Sequence, residues 1–189
     1  MSILSERFDD ALAYASRIHR EQRRKGVETP YIAHLLAVTA IALEYGADED
    51  GAIAALLHDA VEDQGGAPRL EDIRARYGDR VADIVSDCTD TDIEPKPEWR
   101  PRKETYIASL AHKPEASLRV SLADKIHNAS AIVADLDAYG ETVWDRFTGG
   151  KDGTLWYYDA LATAFAARMN GPATARFAGV VRDMHARHG

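Results

Sequence analysis

The sequence predicts an all-α fold. Apolar residues recur at three- and four-residue spacing along nearly all of it, no segment sustains a period-two alternation with hairpin turn residues, and glycine- or proline-containing breaks separate the periodic runs. The spacing predicts helices over Leu4–Arg24, His34–Tyr45, Asp48–Asp63, Leu70–Tyr77, Asp79–Cys88, Arg102–His112, Pro114–Tyr139, Thr142–Phe147, Gly153–Met169 and Pro172–Arg187, packed as a single-domain helical bundle. Lys25-Gly26 and Thr29-Pro30 end the first helix. Gly46 suits a left-handed cap on the second, and Gln64-Gly65-Gly66-Ala67-Pro68 stops the third. Asp90 to Pro101 holds three prolines and is the longest irregular stretch, read as a lid or pocket wall.

Size and composition narrow the function. With 189 residues and 46% hydrophobic content, one domain over residues 1–189 can bury a full core. No run approaches the roughly 18 apolar residues of a membrane span, and the opening MSILSERFDD is too acidic for a signal peptide, so a cytoplasmic protein with no membrane partner is expected. Cys88 is the single cysteine, which excludes an internal disulfide and a thiolate zinc cluster; any metal is held by nitrogen and oxygen. A net charge of −8 argues against nucleic acid as partner. A small phosphorylated ligand needs only a local basic pocket. Positive residues are bunched at Arg17, Arg20, Arg23, Arg24 and Lys25, and again at Lys96, Arg100, Arg102 and Lys103.

Three segments carry the chemistry. Ala54-Ala55-Leu56-Leu57-His58-Asp59-Ala60-Val61-Glu62-Asp63 places metal-capable groups at the end of an apolar helix, where a buried carboxylate calls for a compensating cation. Glu62 stands one turn beyond His58, and Asp63 one turn beyond Asp59. Leu122-Ala123-Asp124-Lys125-Ile126-His127-Asn128 interrupts a second apolar helix with a carboxylate, and Asn128 shares its face. Pro30-Tyr31-Ile32-Ala33-His34 starts a third helix with a histidine. Two imidazoles and two carboxylates, His34, His58, Asp59 and Asp124, suit a six-coordinate ion such as Mn2+ or Fe2+ with positions left open for catalysis. Each residue alone has a plain structural explanation: a helix-start histidine, a solvent-facing dipeptide, an aspartate paired with Lys125 or Arg119. Three such coincidences in one chain are the less economical account.

These motifs, together with Arg24-Lys25-Gly26, Tyr77-Gly78-Asp79-Arg80-Val81-Ala82 and Arg102-Lys103-Glu104, resemble the HD phosphohydrolase superfamily, and within it the hydrolase domain of RelA/SpoT homologues and the free-standing small alarmone hydrolases. The resemblance runs from about Ala13 to Leu136. It implies metal-dependent removal of the 3′-diphosphate from guanosine tetra- or pentaphosphate, or from the adenosine analogue, with release of pyrophosphate. It further implies that His34, His58, Asp59 and Asp124 bind the metal and that Glu62 and Asp63 position and deprotonate the attacking water. Arg24 would pack on the base, with Lys25, Asn128, Arg102 and Lys103 as further substrate contacts. Two departures stand out: the stretch from Lys25 to Pro30 is one residue longer than usual in the family, and Ser121 replaces a common lysine.

An HD nucleotidase or an NADPH phosphatase would use the same metal site, and a non-catalytic alarmone sensor would share the pocket. The Glu62-Asp63 pair counts against the sensor, which needs no water-activating group. An apolar face on the C-terminal helices serves either the core or a homo-oligomer.

Overall fold

Ser5 opens the first helix by accepting the Arg7 N–H at 3.3 Å, in a computed structural model that describes residues 4–90 and 97–187. This helix, α1 (Glu6–Ile18), stops well short of the predicted Arg24. From His19 onward the chain turns: the Arg24 N–H donates to the Thr29 carbonyl and the Tyr31 N–H to the Gln22 carbonyl, both at 2.9 Å, and Arg23 bridges Pro30. Gly26 at φ +77 and the β-favouring position before Pro30 hold this loop, so the first basic run, apart from Arg17 in the last turn of α1, lies on a loop and not on a helix face.

Helix α2 (Ile32–Glu44) has no charged side chain between Ile32 and Leu43 and buries His34 with Leu35, Val38, Ile41 and Ala42. The predicted helix over Asp48–Asp63 is two helices, α3 (Glu49–Leu57) and α4 (Ala60–Asp63). Asp48 caps α3 by accepting the Gly51 N–H at 3.0 Å. The interruption falls at His58-Asp59, where the His58 ring occupies the Ala55 carbonyl one turn back. Consecutive side chains of an unbroken helix diverge by about 100°; the turn lets these two aim at one point.

Helices α5 (Gly66–Tyr77) and α7 (Trp99–Ser109) begin before the predicted Leu70 and Arg102. Pro68 and Pro101 each sit in a first turn, where the missing N–H has no helical partner to lose. Helix α6 (Asp79–Cys88) matches its predicted span. Helix α8 (Glu115–Tyr139) is 25 residues long and packs against α2, α3, α6 and α10. A 3-10 helix, Gly140–Arg146, replaces the helix expected over Thr142–Phe147. Helices α9 (Gly150–Arg168) and α10 (Pro172–Ala186) complete the chain, with Phe165, Phe177 and Met184 in the core.

Helices α7 and α9 meet at Trp99, whose ring is so close to Gly149 that a Cβ there would lie 2.7 Å from it. Among the described residues there is no strand beyond the one bridge, and no helix is long and apolar enough to cross a membrane. The middle of the lid expected over Asp90–Pro101, including Lys96, lies outside the described residues.

Candidate metal centre and phosphate cleft

Three elements deliver four donor atoms toward one region. His34 Nε2 comes from α2, His58 Nε2 and Asp59 Oδ2 from the α3–α4 break, and Asp124 Oδ1 from α8. His34 Nε2 lies 3.3 Å from His58 Nε2, 3.4 Å from Asp59 Oδ2 and 3.3 Å from Asp124 Oδ1. His58 Nε2 lies 3.0 Å from Asp59 Oδ2 and 3.6 Å from Asp124 Oδ1. Donors at about 2.1 Å from a shared divalent ion stand about 3.0–3.4 Å apart; among the described residues His34, His58 and Asp59 form a group with that spacing, and Asp124 stands beside it, 3.3 Å from one imidazole and 3.6 Å from the other.

Proton placement agrees. The Ala55 carbonyl can only accept, so the His58 Nδ1 at 2.8 Å carries a proton, and Nε2 is the atom turned toward Asp59 and Asp124. His34 Nδ1 meets His127 Nδ1 at 2.8 Å. Burial, with His34 and Arg24 alongside, pushes the His127 pKa down to about 4, so that ring is a neutral acceptor for a His34 Nδ1 proton. Burial opposes charge on His58, yet Asp59 and Asp124 raise its pKa well above the usual imidazole value, so the cluster calls for positive charge at its centre, which a divalent cation would supply in place of a proton. Burial works against ionising Asp59 and Asp124. The imidazoles, and for Asp124 above all Lys125, outweigh it and hold both carboxyls well below the usual range.

Both carboxylates are tied down. The Tyr31 hydroxyl donates to Asp59 Oδ2 at 2.6 Å, and burial and Asp59 together keep that phenol protonated. Lys125 Nζ donates to Asp124 Oδ2 at 2.7 Å, and Asn128 Nδ2 to Asp124 Oδ1 at 2.5 Å. Arg24 Nη2 donates to Asn128 Oδ1 at 2.9 Å, which carries the chain of contacts to the basic loop. Gln22 donates to Asp63 Oδ2 at 2.7 Å while its own Oε1 accepts from Gln64 at 2.6 Å.

A cleft of about 480 Å³ opens beside this cluster, and Arg24, Lys25, Glu62, Arg102, Lys103, Lys125 and Asn128 line it with Tyr31, Trp99 and Tyr157. A wider groove of about 800 Å³ shares Arg24, Lys25 and Asp135 with it and runs past His34 and His127 under the 26–30 loop. The cations of both bunches thus meet across one space, although Arg102 and Lys103 both reach Asp90, Lys103 at 2.7 Å. A ligand phosphate entering there competes with the Asp90 carboxylate. Of the pair expected to handle the attacking water, Glu62 lines the cleft, whereas Asp63 is exposed, does not line it and is held by Gln22. Sequence reasoning gave no role to Gln22 or His127, and it read Lys125 only as an ion-pair partner of Asp124 and Tyr31 only as a possible stacking group. Lys125 adjoins Asp124, and Tyr31 precedes His34 by three residues, but the pairing of His127 with His34 joins residues 93 positions apart and is visible only in three dimensions.

Comparison with known proteins follows this geometry. The HD domain family profile matches residues 11–155. A guanosine-3′,5′-bis(diphosphate) 3′-pyrophosphohydrolase of Xenopus tropicalis is 39% identical over 122 residues, 63% of this chain and 65% of the frog protein. Its Drosophila melanogaster counterpart is 36% identical over 145 residues, 75% of this chain and 76% of the fly protein. The aligned stretch therefore spans just under two thirds of the frog relative's length. A solved structure described as a metazoan orthologue of SpoT that hydrolyses ppGpp superposes with a TM-score of 0.79 at 29% identity, covering 96% of this chain and 97% of that one.

Proposed function

The chain belongs to the HD domain family, and from that premise we propose that it is a hydrolase of guanosine tetra- or pentaphosphate, or of the adenosine analogue. It removes the 3′-diphosphate as pyrophosphate and leaves the 5′-di- or triphosphate. The observation that carries this reading is the convergence of His34, His58, Asp59 and Asp124 beside a cleft walled by five cationic side chains. The relatives named above supply the substrate class. The working unit is the whole chain, read as one domain acting in the cytoplasm.

Bound by those four residues, a divalent ion such as Mn2+ or Fe2+ supplies Lewis-acid stabilisation of phosphoryl charge and lowers the pKa of a water. Asp63, oriented by Gln22, takes the proton of the attacking water, and Glu62 on the cleft wall helps to hold that water. The water oxygen bonds to the phosphorus next to the ribose, and the bond from that phosphorus to O3′ breaks. Arg24, Lys25, Arg102 and Lys103 hold the remaining phosphates, with guanidinium favoured where a planar two-point grip is needed. Asn128, bridging Arg24 and Asp124, lies where the ribose spans base and phosphate.

The test is to incubate manganese-loaded protein with guanosine tetraphosphate, its adenosine analogue, deoxynucleotides and NADPH and to resolve products by ion exchange. Pyrophosphate released from an alarmone, and lost in Asp59→Ala, supports the reading. Turnover of NADPH or deoxynucleotides alone replaces the substrate while keeping the metal chemistry. Tight alarmone binding without turnover makes the protein a sensor.

A further inference from the structure

We propose that Asp135 reads the base, selecting guanine over adenine; this rests on the hydrolase reading above and extends it to specificity. Asp135 follows Asp124 by eleven residues on α8. At 3.6 residues per turn that offset is about 20° from three full turns, so both carboxylates project from one side of the helix, about 16 Å apart along its axis. Asn128 lies between them on the same side. Asp135 belongs to the walls of both the phosphate cleft and the neighbouring groove, at the end of their shared partition farthest along α8 from the donor cluster. A nucleotide whose 3′-phosphate sits at Asp124 and whose sugar passes Asn128 directs its base toward Asp135.

The chemistry of the wall singles this residue out. Asp135 and Glu62 are the two carboxylates among the five cations of this wall; Glu62 follows the donor Asp59 by three residues, whereas Asp135 lies at the far end, and since a carboxylate repels phosphate it suits an uncharged, donor-bearing part of the ligand. It is held in place: Arg146 Nη1 donates to Asp135 Oδ2 at 2.8 Å, and Arg146 is itself packed over Tyr139 and against Gly26. Each carboxylate oxygen accepts more than one hydrogen bond, so the pair with Arg146 leaves capacity for a ligand. Guanine offers two parallel donors on one edge, N1–H and the 2-amino group, which match the two oxygens. Adenine offers an amino donor beside a bare ring nitrogen, whose lone pair would face a carboxylate oxygen. A site built to pair with donors rejects a ligand lacking them more strongly than an apolar pocket does.

The experiment measures kcat/KM for guanosine, inosine and adenosine 3′,5′-bis(diphosphates), and calorimetric affinity for GDP, IDP and ADP, in the wild type, Asp135→Asn and Arg146→Ala. Inosine keeps N1–H and lacks the 2-amino group, so it isolates one donor. The expected wild-type order is guanine, then inosine, then adenine. Asp135→Asn lowers guanine recognition by about 10- to 100-fold and spares or improves adenine, because an amide pairs with adenine's donor and acceptor together. Arg146→Ala weakens guanine recognition less, by loosening the carboxylate. Equal affinity for the three diphosphates in the wild type, or an equal loss for all three in Asp135→Asn, overturns the proposal. The diphosphate affinities stand apart from turnover: base discrimination lost in Asp135→Asn supports the role of Asp135 even where no alarmone is hydrolysed, and that result defeats the hydrolase reading alone.

Discussion

His34 and His127 meet Nδ1 to Nδ1 at 2.8 Å, and this contact determines which face of the His34 ring is free for a metal. Outer partners of this kind fix the tautomer and ring angle of a ligand, and their loss typically costs 10- to 100-fold in metal affinity. His127→Phe is therefore expected to weaken manganese binding by about that factor, read by chelator competition, with KM at saturating metal nearly unchanged. His127→Gln, whose amide oxygen can accept the same proton, should recover part of the loss. Unchanged metal affinity in His127→Phe would count against the contact as a tautomer lock.

Asp59→Ala and Asp63→Asn should separate metal retention from proton transfer. The first loses bound metal by elemental analysis and loses turnover; the second keeps the metal and loses turnover. Because the donors come from α2, the α3–α4 break and α8, the ion also ties those elements together. At a hundredfold excess over its dissociation constant it stabilises the fold by about 2.7 kcal/mol, so adding manganese should raise Tm in the wild type and in Asp63→Asn, but not in Asp59→Ala.

The helical class was legible because a 3.6-residue apolar period is imposed by burial and survives in the sequence. Two local causes moved the boundaries. Pro68 and Pro101 read as breaks, yet both lie inside first turns. His58-Asp59 read as helix, yet a side chain occupies the carbonyl one turn back. That His34, His58, Asp59 and Asp124 come together was legible because polar pairs are costly within apolar helices. Their supports were not: Gln22 bridges to Asp63 and Gln64 across the fold, and helical spacing says nothing about what lies opposite.

Gly149→Ala tests the α7–α9 joint. The backbone there, φ −78 and ψ −5, accepts alanine, so the effect is purely steric. A Cβ 2.7 Å from the Trp99 ring, itself packed edge-on against Trp156 and Tyr157, forces a shift costing about 1–3 kcal/mol. Urea denaturation should show that loss, and Trp99→Leu should remove most of it. Additive effects in the double variant would rule out the direct clash.

Asp48 gives a pH signature. Burial raises its carboxyl somewhat, but the Arg80 side chain and the Gly51 N–H more than offset this, and the net shift is downward. A folded pKa below the unfolded one means a contribution fully present above about pH 4 and lost as pH falls through the folded value. Asp48→Ala should cost about 1 kcal/mol at pH 7, mostly through the helix cap, since the solvent-screened pair with Arg80 adds only a few tenths. The gap between variant and wild type should close in acid.

Helix α8 works as a ruler. Asp124, Asn128 and Asp135 ride on one continuous rod, so the reach from reaction centre to base is set by helical rise and not by any loop. One residue inserted between Asn128 and Asp135 would swing every later side chain by about 100° and take Asp135 off the cleft, leaving Asp124 and its partners in place. On the proposal above, length in this segment sets the distance between the donor cluster and the base, and the side chain at position 135 sets which base is accepted.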